Sequence, residues 1–105
     1  MKRYEVRFLA GAIDDLDALF VYIARRSSLE IADSYLARIE RSCLSLQSLP
    51  VRGTAVTGDV SGLRTMGFEC RVTILFRVGV DRVDILRVLY GGRDLEPSVE
   101  EFPEQ

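Results

Sequence analysis

The chain predicts a two-layer α+β domain, a helical hairpin packed on one face of a mainly antiparallel sheet. Three observations predict it. Residues 3–9 and 70–78 alternate apolar and polar side chains, the period of a strand with one buried face. Residues 12–26 and the stretch from 28 to about 49 repeat apolar side chains every three or four positions, the period of an amphipathic helix. The link between those two helical stretches is very short, so they fold back on each other. A helical hairpin must bury its stripe, and the partner this sequence offers is one face of a sheet.

Each element has its own warrant. In residues 3–9, Tyr4, Val6 and Phe8 face one way and Arg3, Glu5 and Arg7 the other. The first helical stripe is Ala12, Leu16, Leu19, Phe20 and Ile23. Asp14, Asp15 and Asp17 fall in the first turns, and Arg25 and Arg26 in the last, the order a helix dipole favours. Asp15 reads as a surface or turn residue. Ser27 and Glu30 fit a capping box, with Ser27 as N-cap and Glu30 at N3. The second stripe is Ala32, Tyr35, Leu36, Ile39, Cys43 and Leu46, and Pro50 and Gly53 stop it. Residues 51–62 show no period and read as a loop with room for a short strand. Residues 63–68 form a strand, 70–78 a second, Gly79 to Asp81 a turn and 82–90 the last strand. The last strand is apolar on both faces after Asp84, which places it inside the sheet. The order is β-α-α-β-β-β, and the sheet face away from the helices is left open, carrying Arg71 and Arg77.

Composition excludes several chemistries. The chain has 105 residues, the size of one domain, at 48% hydrophobic and 29% charged. It has no histidine, which removes Ser-His-Asp, Cys-His and His-based ribonuclease mechanisms. Two cysteines without histidine make no zinc site, and Cys43 and Cys70 read as reduced core thiols. The longest apolar run, Ala18 to Ala24, is too short to span a bilayer, and no secretory signal is visible. The expected compartment is the cytoplasm, with no metal and no cofactor. Arginine supplies all the basic residues but Lys2. The net charge of −2 is uneven: residues 51–95 carry seven basic and five acidic groups, and 96–105 four Glu and no base. Residues 1–95 are the expected domain and 96–105 an acidic C-terminal tail.

The stretch from Arg71 to Asp94 carries the most information. Arg71, Arg77 and Arg87 lie within strands, where charge is uncommon unless it meets a polar partner. The strand exit adds Tyr90, Gly91, Gly92 and Arg93. Arg87 is either a functional guanidinium or a structural one paired with Asp84 or Asp94. Arg93-Asp94 reads as a local ion pair, and Gly91-Gly92 as a turn with positive φ.

Short matches along the chain carry a resemblance. They are Ala12, Asp15-Leu16 and Tyr22-Ile23-Ala24 on the first helix, Leu49-Pro50-Val51-Arg52-Gly53 after the second, and Gly62-Leu63-Arg64. Phe76-Arg77-Val78 and Val83 to Asp94 complete the set. In this order and spacing, over about residues 4–95, the chain resembles the ParE/RelE superfamily of toxin–antitoxin toxins, and its ParE branch in particular. It departs from the usual ParE form at Tyr90, where members commonly carry His.

The resemblance implies a sheet with the first strand beside the last. It implies a ParD-like antitoxin partner that wraps the toxin with a helical segment. The helix stripes are core first, and the outer edge of the hairpin around Tyr22 and Tyr35 is also a place where such a helix could lie. The resemblance also implies DNA gyrase as target. For that role the residues themselves offer the open sheet face and the strand exit, with Arg71, Arg77, Arg87, Tyr90 and Arg93 as target-binding residues and no catalytic set. The alternative is a ribosome-dependent mRNA endoribonuclease of RelE type, with Arg64, Arg71, Arg77 and Arg87 stabilising charge and Tyr90 stacking or moving a proton. That reading lacks a base: Lys2 is remote, and an ordinary Tyr or Arg is a poor base at neutral pH. An inactive homologue that binds only its antitoxin is the third. Direct nucleic-acid binding belongs to the endoribonuclease reading.

Overall fold

A computed structural model describes residues 3–58, 61–69 and 71–91. Cys70, Gly92, Arg93, Asp94 and the acidic tail lie outside the described residues, so the expectations placed on them have no structural counterpart. The elements are β1 (Glu5–Phe8), α1 (Ala10–Arg26), α2 (Leu29–Leu44), a 3-10 turn (Ser45–Gln47), β2 (Thr54–Ala55), β3 (Leu63–Phe68), β4 (Val72–Val78) and β5 (Arg82–Tyr90). They build one five-stranded sheet in the order β1-β5-β4-β3-β2. β1 runs parallel to β5, and the other neighbours are antiparallel. The first strand therefore lies beside the last, and β5 is interior, both as expected. The strand expected as optional in the 51–62 loop is the two-residue β2.

The helices cover one face. Ala12, Leu16, Leu19 and Ile23 of α1 and Ala32, Tyr35, Leu36, Ile39 and Cys43 of α2 are buried. They meet Met66 of β3, Val72, Ile74 and Phe76 of β4, and Val83, Ile85 and Val88 of β5. The register puts Ile74 opposite Met66 on one side and Val88 on the other, so a continuous apolar row crosses the sheet. Each such aliphatic side chain contributes about 1.5–3 kcal/mol on burial. Exposed ion pairs contribute about 0–1 kcal/mol each, so the apolar layer decides stability and the charges decide other things.

Three sequence expectations about the helices move. α1 starts at Ala10, not 12, so none of its acidic residues lies in the first turn and the expected dipole complement at that end is absent. Arg25 and Arg26 do sit in its last turn. The N-cap of α2 is Ser28, whose Oγ accepts from the Ile31 N–H at 3.1 Å. Ser27 instead closes α1, donating its N–H to the Ile23 carbonyl at 2.8 Å. A two-residue link leaves one residue for each job, and the capping box with Glu30 does not form. α2 ends at Leu44, and the 3-10 turn follows with Leu46 still buried.

After α2 the chain must turn sharply under β3. Gly53 makes that turn at φ +73°, and a Cβ built there would lie 1.9 Å from the Thr65 carbonyl oxygen. Both the backbone conformation and the space demand glycine. Gly53→Ala is expected to cost about 2 kcal/mol or more. Urea unfolding of the variant against the unaltered protein measures it.

Candidate functional site

β1 covers only the first part of β5. Its last partner is Phe8 against Ile85, and one further bond runs from the Leu9 N–H to the Ile85 carbonyl at 2.9 Å. Beyond that point, among the described residues, β5 has an open edge, and its outward backbone donors need other acceptors. The pairing with β4 shifts at the same place. Leu75 faces Arg87 while Phe76 faces Ile85, so Leu86 is the extra residue of a bulge.

α1 closes this gap with one side chain. Asp15 Oδ2 accepts from the Val88 N–H at 2.8 Å and from the Arg87 Nε–H at 2.7 Å. Its Oδ1 accepts from the Arg87 Nη2–H at 2.8 Å. The Asp15 side chain is 16% exposed and the Arg87 side chain 48%. The hydrogen bonds that Arg87 donates to Asp15, and then the Asp15 charge, hold the Arg87 pKa above its ordinary value. Arg87 is a fixed cation here and no base.

This overturns two expectations. Asp15 is not a surface or turn residue, and among the described residues the partner of Arg87 is not Asp84 but this carboxylate, 72 residues away; Asp94 lies outside the described residues. Asp84 faces Arg7 at 3.6 Å and Arg82 at 3.4 Å on the open face. Sequence reasoning missed Asp15 because an acid on a helix is ordinary. The available signal was its position next to the core stripe, in the same chain as an arginine set in an apolar strand.

At the end of β5 the aromatic residues gather. Tyr90 packs on Tyr22 of α1, with ring centroids 5.9 Å apart and planes at 54°. The Arg26 guanidinium lies 4.8 Å from the centre of the Tyr22 ring. Across the sheet, Tyr90 is opposite Val72, which is opposite Phe68. Phe68 meets Tyr35 edge-on at 5.8 Å, and Arg38 stacks over both rings while pairing with Glu69. Glu69 turns β3 into β4 with φ 53°, uncommon for a residue with a side chain. Gly91 has the positive φ expected of the exit, +83°, and donates its N–H to the Arg71 carbonyl at 2.7 Å.

The remaining candidates separate. Arg77 is on the open face beside Leu63 and Asp84, and its Nε donates to Ser61 Oγ at 3.3 Å. Arg71, expected beside it, belongs to the β3–β4 turn, because β4 starts one residue later at Val72. Its charge is felt by the Tyr35 hydroxyl. Arg64 spends its guanidinium on backbone, donating to the Arg52 carbonyl at 2.8 Å and the Gly53 carbonyl at 3.3 Å. It pairs with Phe76 whereas Tyr90 pairs with Val72, some four residues along β4, about 13 Å. Tyr35, on the apolar stripe of α2 and also a candidate for the antitoxin groove, is 7% exposed and part of the core. Tyr22 is half-buried against Tyr90. Burial raises the Tyr35 pKa and pushes the Cys43 thiol up to about 12, so both move away from proton transfer at neutral pH. Among the described residues no group of acids and cysteines is arranged to hold a metal ion, and no helix is long and apolar enough to cross a membrane.

Known proteins share this architecture. The family model described as ParE toxin of type II toxin-antitoxin system, parDE, matches residues 6–95. The chain is similar to a solved chain of the chromosomal ParDE TA system from P. aeruginosa, with TM-score 0.72 and 25% identity, covering 84% of this chain and 96% of that one. Its fold is also that of a chain in the toxin-antitoxin complex RelBE2 from Mycobacterium tuberculosis, with TM-score 0.66 and 24% identity, covering 86% and 93%. Comparison with curated protein sequences gives no match.

Asp15→Ala leaves the part-buried Val88 N–H without its acceptor. The expected loss is about 1–3 kcal/mol of stability, read from the midpoint of urea unfolding at unchanged m.

Proposed function

Because this chain belongs to the ParE toxin family of type II toxin–antitoxin systems, we propose that it inhibits DNA gyrase by binding and is neutralised by a ParD-like antitoxin. It acts in the cytoplasm and stops replication without cutting nucleic acid. The observation that carries this reading is the ParE match along residues 6–95, joined to the way the arginines are used. Arg64 is committed to backbone carbonyls and Arg87 to Asp15, at separate places on the sheet. A phosphoryl-transfer site would need such groups to converge with a base and an acid. A binding surface needs aromatic and guanidinium anchors on a rigid support, and the end of β5 has them.

The target surface we propose is that end, with Arg87 and Tyr90, together with Arg77 on the adjoining open face and Arg71 in the turn beside Tyr90; Arg93, outside the described residues, is a further candidate from the sequence. Tyr22 joins this patch through its packing on Tyr90. For the antitoxin, Tyr22 remains a candidate contact, whereas the Tyr35 ring is closed off by Phe68 and Arg38.

Purified protein is expected to inhibit gyrase supercoiling and accumulate cleaved plasmid, with added antitoxin restoring supercoiling. Tyr90→Ala is expected to raise the half-inhibitory concentration about tenfold, the loss that goes with an aromatic anchor. Unimpaired supercoiling together with mRNA cleavage on programmed ribosomes would replace this reading by the endoribonuclease.

A further inference from the structure

Gly11 and Asp15 stand one turn apart on α1, on the flank that faces the open edge of β5. A Cβ at Gly11 would lie 3.0 Å from Arg87 Cδ and 3.0 Å from the Leu86 carbonyl oxygen. The aliphatic stem of Arg87 thus runs against bare helix backbone, in a space that exists because position 11 has no side chain. The guanidinium then continues to Asp15, where Nε and Nη2 are both held.

We propose that Gly11 and Asp15 are positioning residues that seat Arg87 as a pre-set anchor for a carboxylate of the target protein. The inference rests on the target-binding reading above. Asp15 takes the side edge of the guanidinium, the edge made by Nε and Nη2. Among the described residues the end edge, made by Nη1 and the second Nη2 hydrogen, has no partner side chain, and the side chain is 48% exposed. That edge matches the two oxygens of a second carboxylate. A free arginine loses much rotamer freedom when a partner immobilises it. An arginine already fixed by its stem and by one edge loses little more, which is how preorganisation raises affinity. The bulge at Leu86 belongs to the same device, since it brings Arg87 and the Val88 N–H to one carboxylate.

The test is a comparison of toxicity and stability across four variants. Gly11→Ala fills the stem's space while replacing a poor helix former by the best. Asp15→Asn keeps the shape but loses the charge and the second acceptor. Arg87→Lys keeps the charge but loses the fork. Ile39→Val is a core control that lowers Tm without touching the seat. Circular dichroism establishes that each is folded at the assay temperature. The expected result is a rise of about tenfold in the gyrase half-inhibitory concentration for the three seat variants, and little change for Ile39→Val. Inhibition equal to the unaltered protein by Gly11→Ala and Asp15→Asn would overturn the proposal. So would a loss in Ile39→Val as large as theirs, since stability alone would then explain it. If the unaltered protein leaves gyrase untouched, the target reading has failed separately. Growth arrest on induction of the same variants then decides the seat, with full arrest by Gly11→Ala and Asp15→Asn as the overturning result.

Discussion

A parallel strand that stops early leaves its neighbour with backbone donors facing nothing, and this domain resolves that with one carboxylate. β1 ends at Phe8 and β5 continues to Tyr90. The Asp15 side chain takes the place of the missing strand at Val88 and draws in Arg87 from the adjoining bulge. The same contact ties the first helix to the last strand, joining the two ends of the chain's core. Leaving a buried amide unpaired is costly, so the position of α1 along the sheet and the course of β5 are linked. Every residue at the end of β5, including Tyr90 and its packing on Tyr22, inherits its place from that link.

The rest of the structure divides its labour by environment. The apolar row through Met66, Ile74 and Val88 and the stripes of both helices hold the layers together. The guanidinium groups serve three purposes instead of one. Arg64 satisfies two carbonyls of the turn at Gly53, Arg38 lies over two aromatic rings at the β3–β4 turn, and Arg87 is seated on α1. A chain with no histidine and one lysine uses arginine for both architecture and surface. That dual use is why counting arginines in strands overstated a single functional face.

Much of the architecture was legible because it follows period and turn chemistry. The strand at 63–68 and that at 82–90 coincide with β3 and β5, and the stripes of both helices are buried apart from Phe20, which is partly buried. The first strand beside the last came from family resemblance, since no local pattern encodes a parallel pairing across most of the chain. The site was less legible. Tyr90, Arg87 and Tyr22 meet at or near one place, but Arg71 lies in the β3–β4 turn and Tyr35 is core, as its place on the helical stripe implied. β4 begins at 72 where 70 was expected, and that two-residue difference takes Arg71 out of the alternation. Asp15 was misread for a simpler reason: its partners are 72 and 73 residues away, and sequence spacing does not report contacts at that distance.

The central claim is that Asp15 substitutes for a strand at the open edge of β5. Native-state hydrogen exchange at the Val88 amide tests it most directly. The account predicts that this amide is protected like the ladder amides between β4 and β5, and that Asp15→Ala removes its protection while those amides keep theirs. Rapid exchange at Val88 with Asp15 in place, at the rate of an unpaired strand edge, would contradict it.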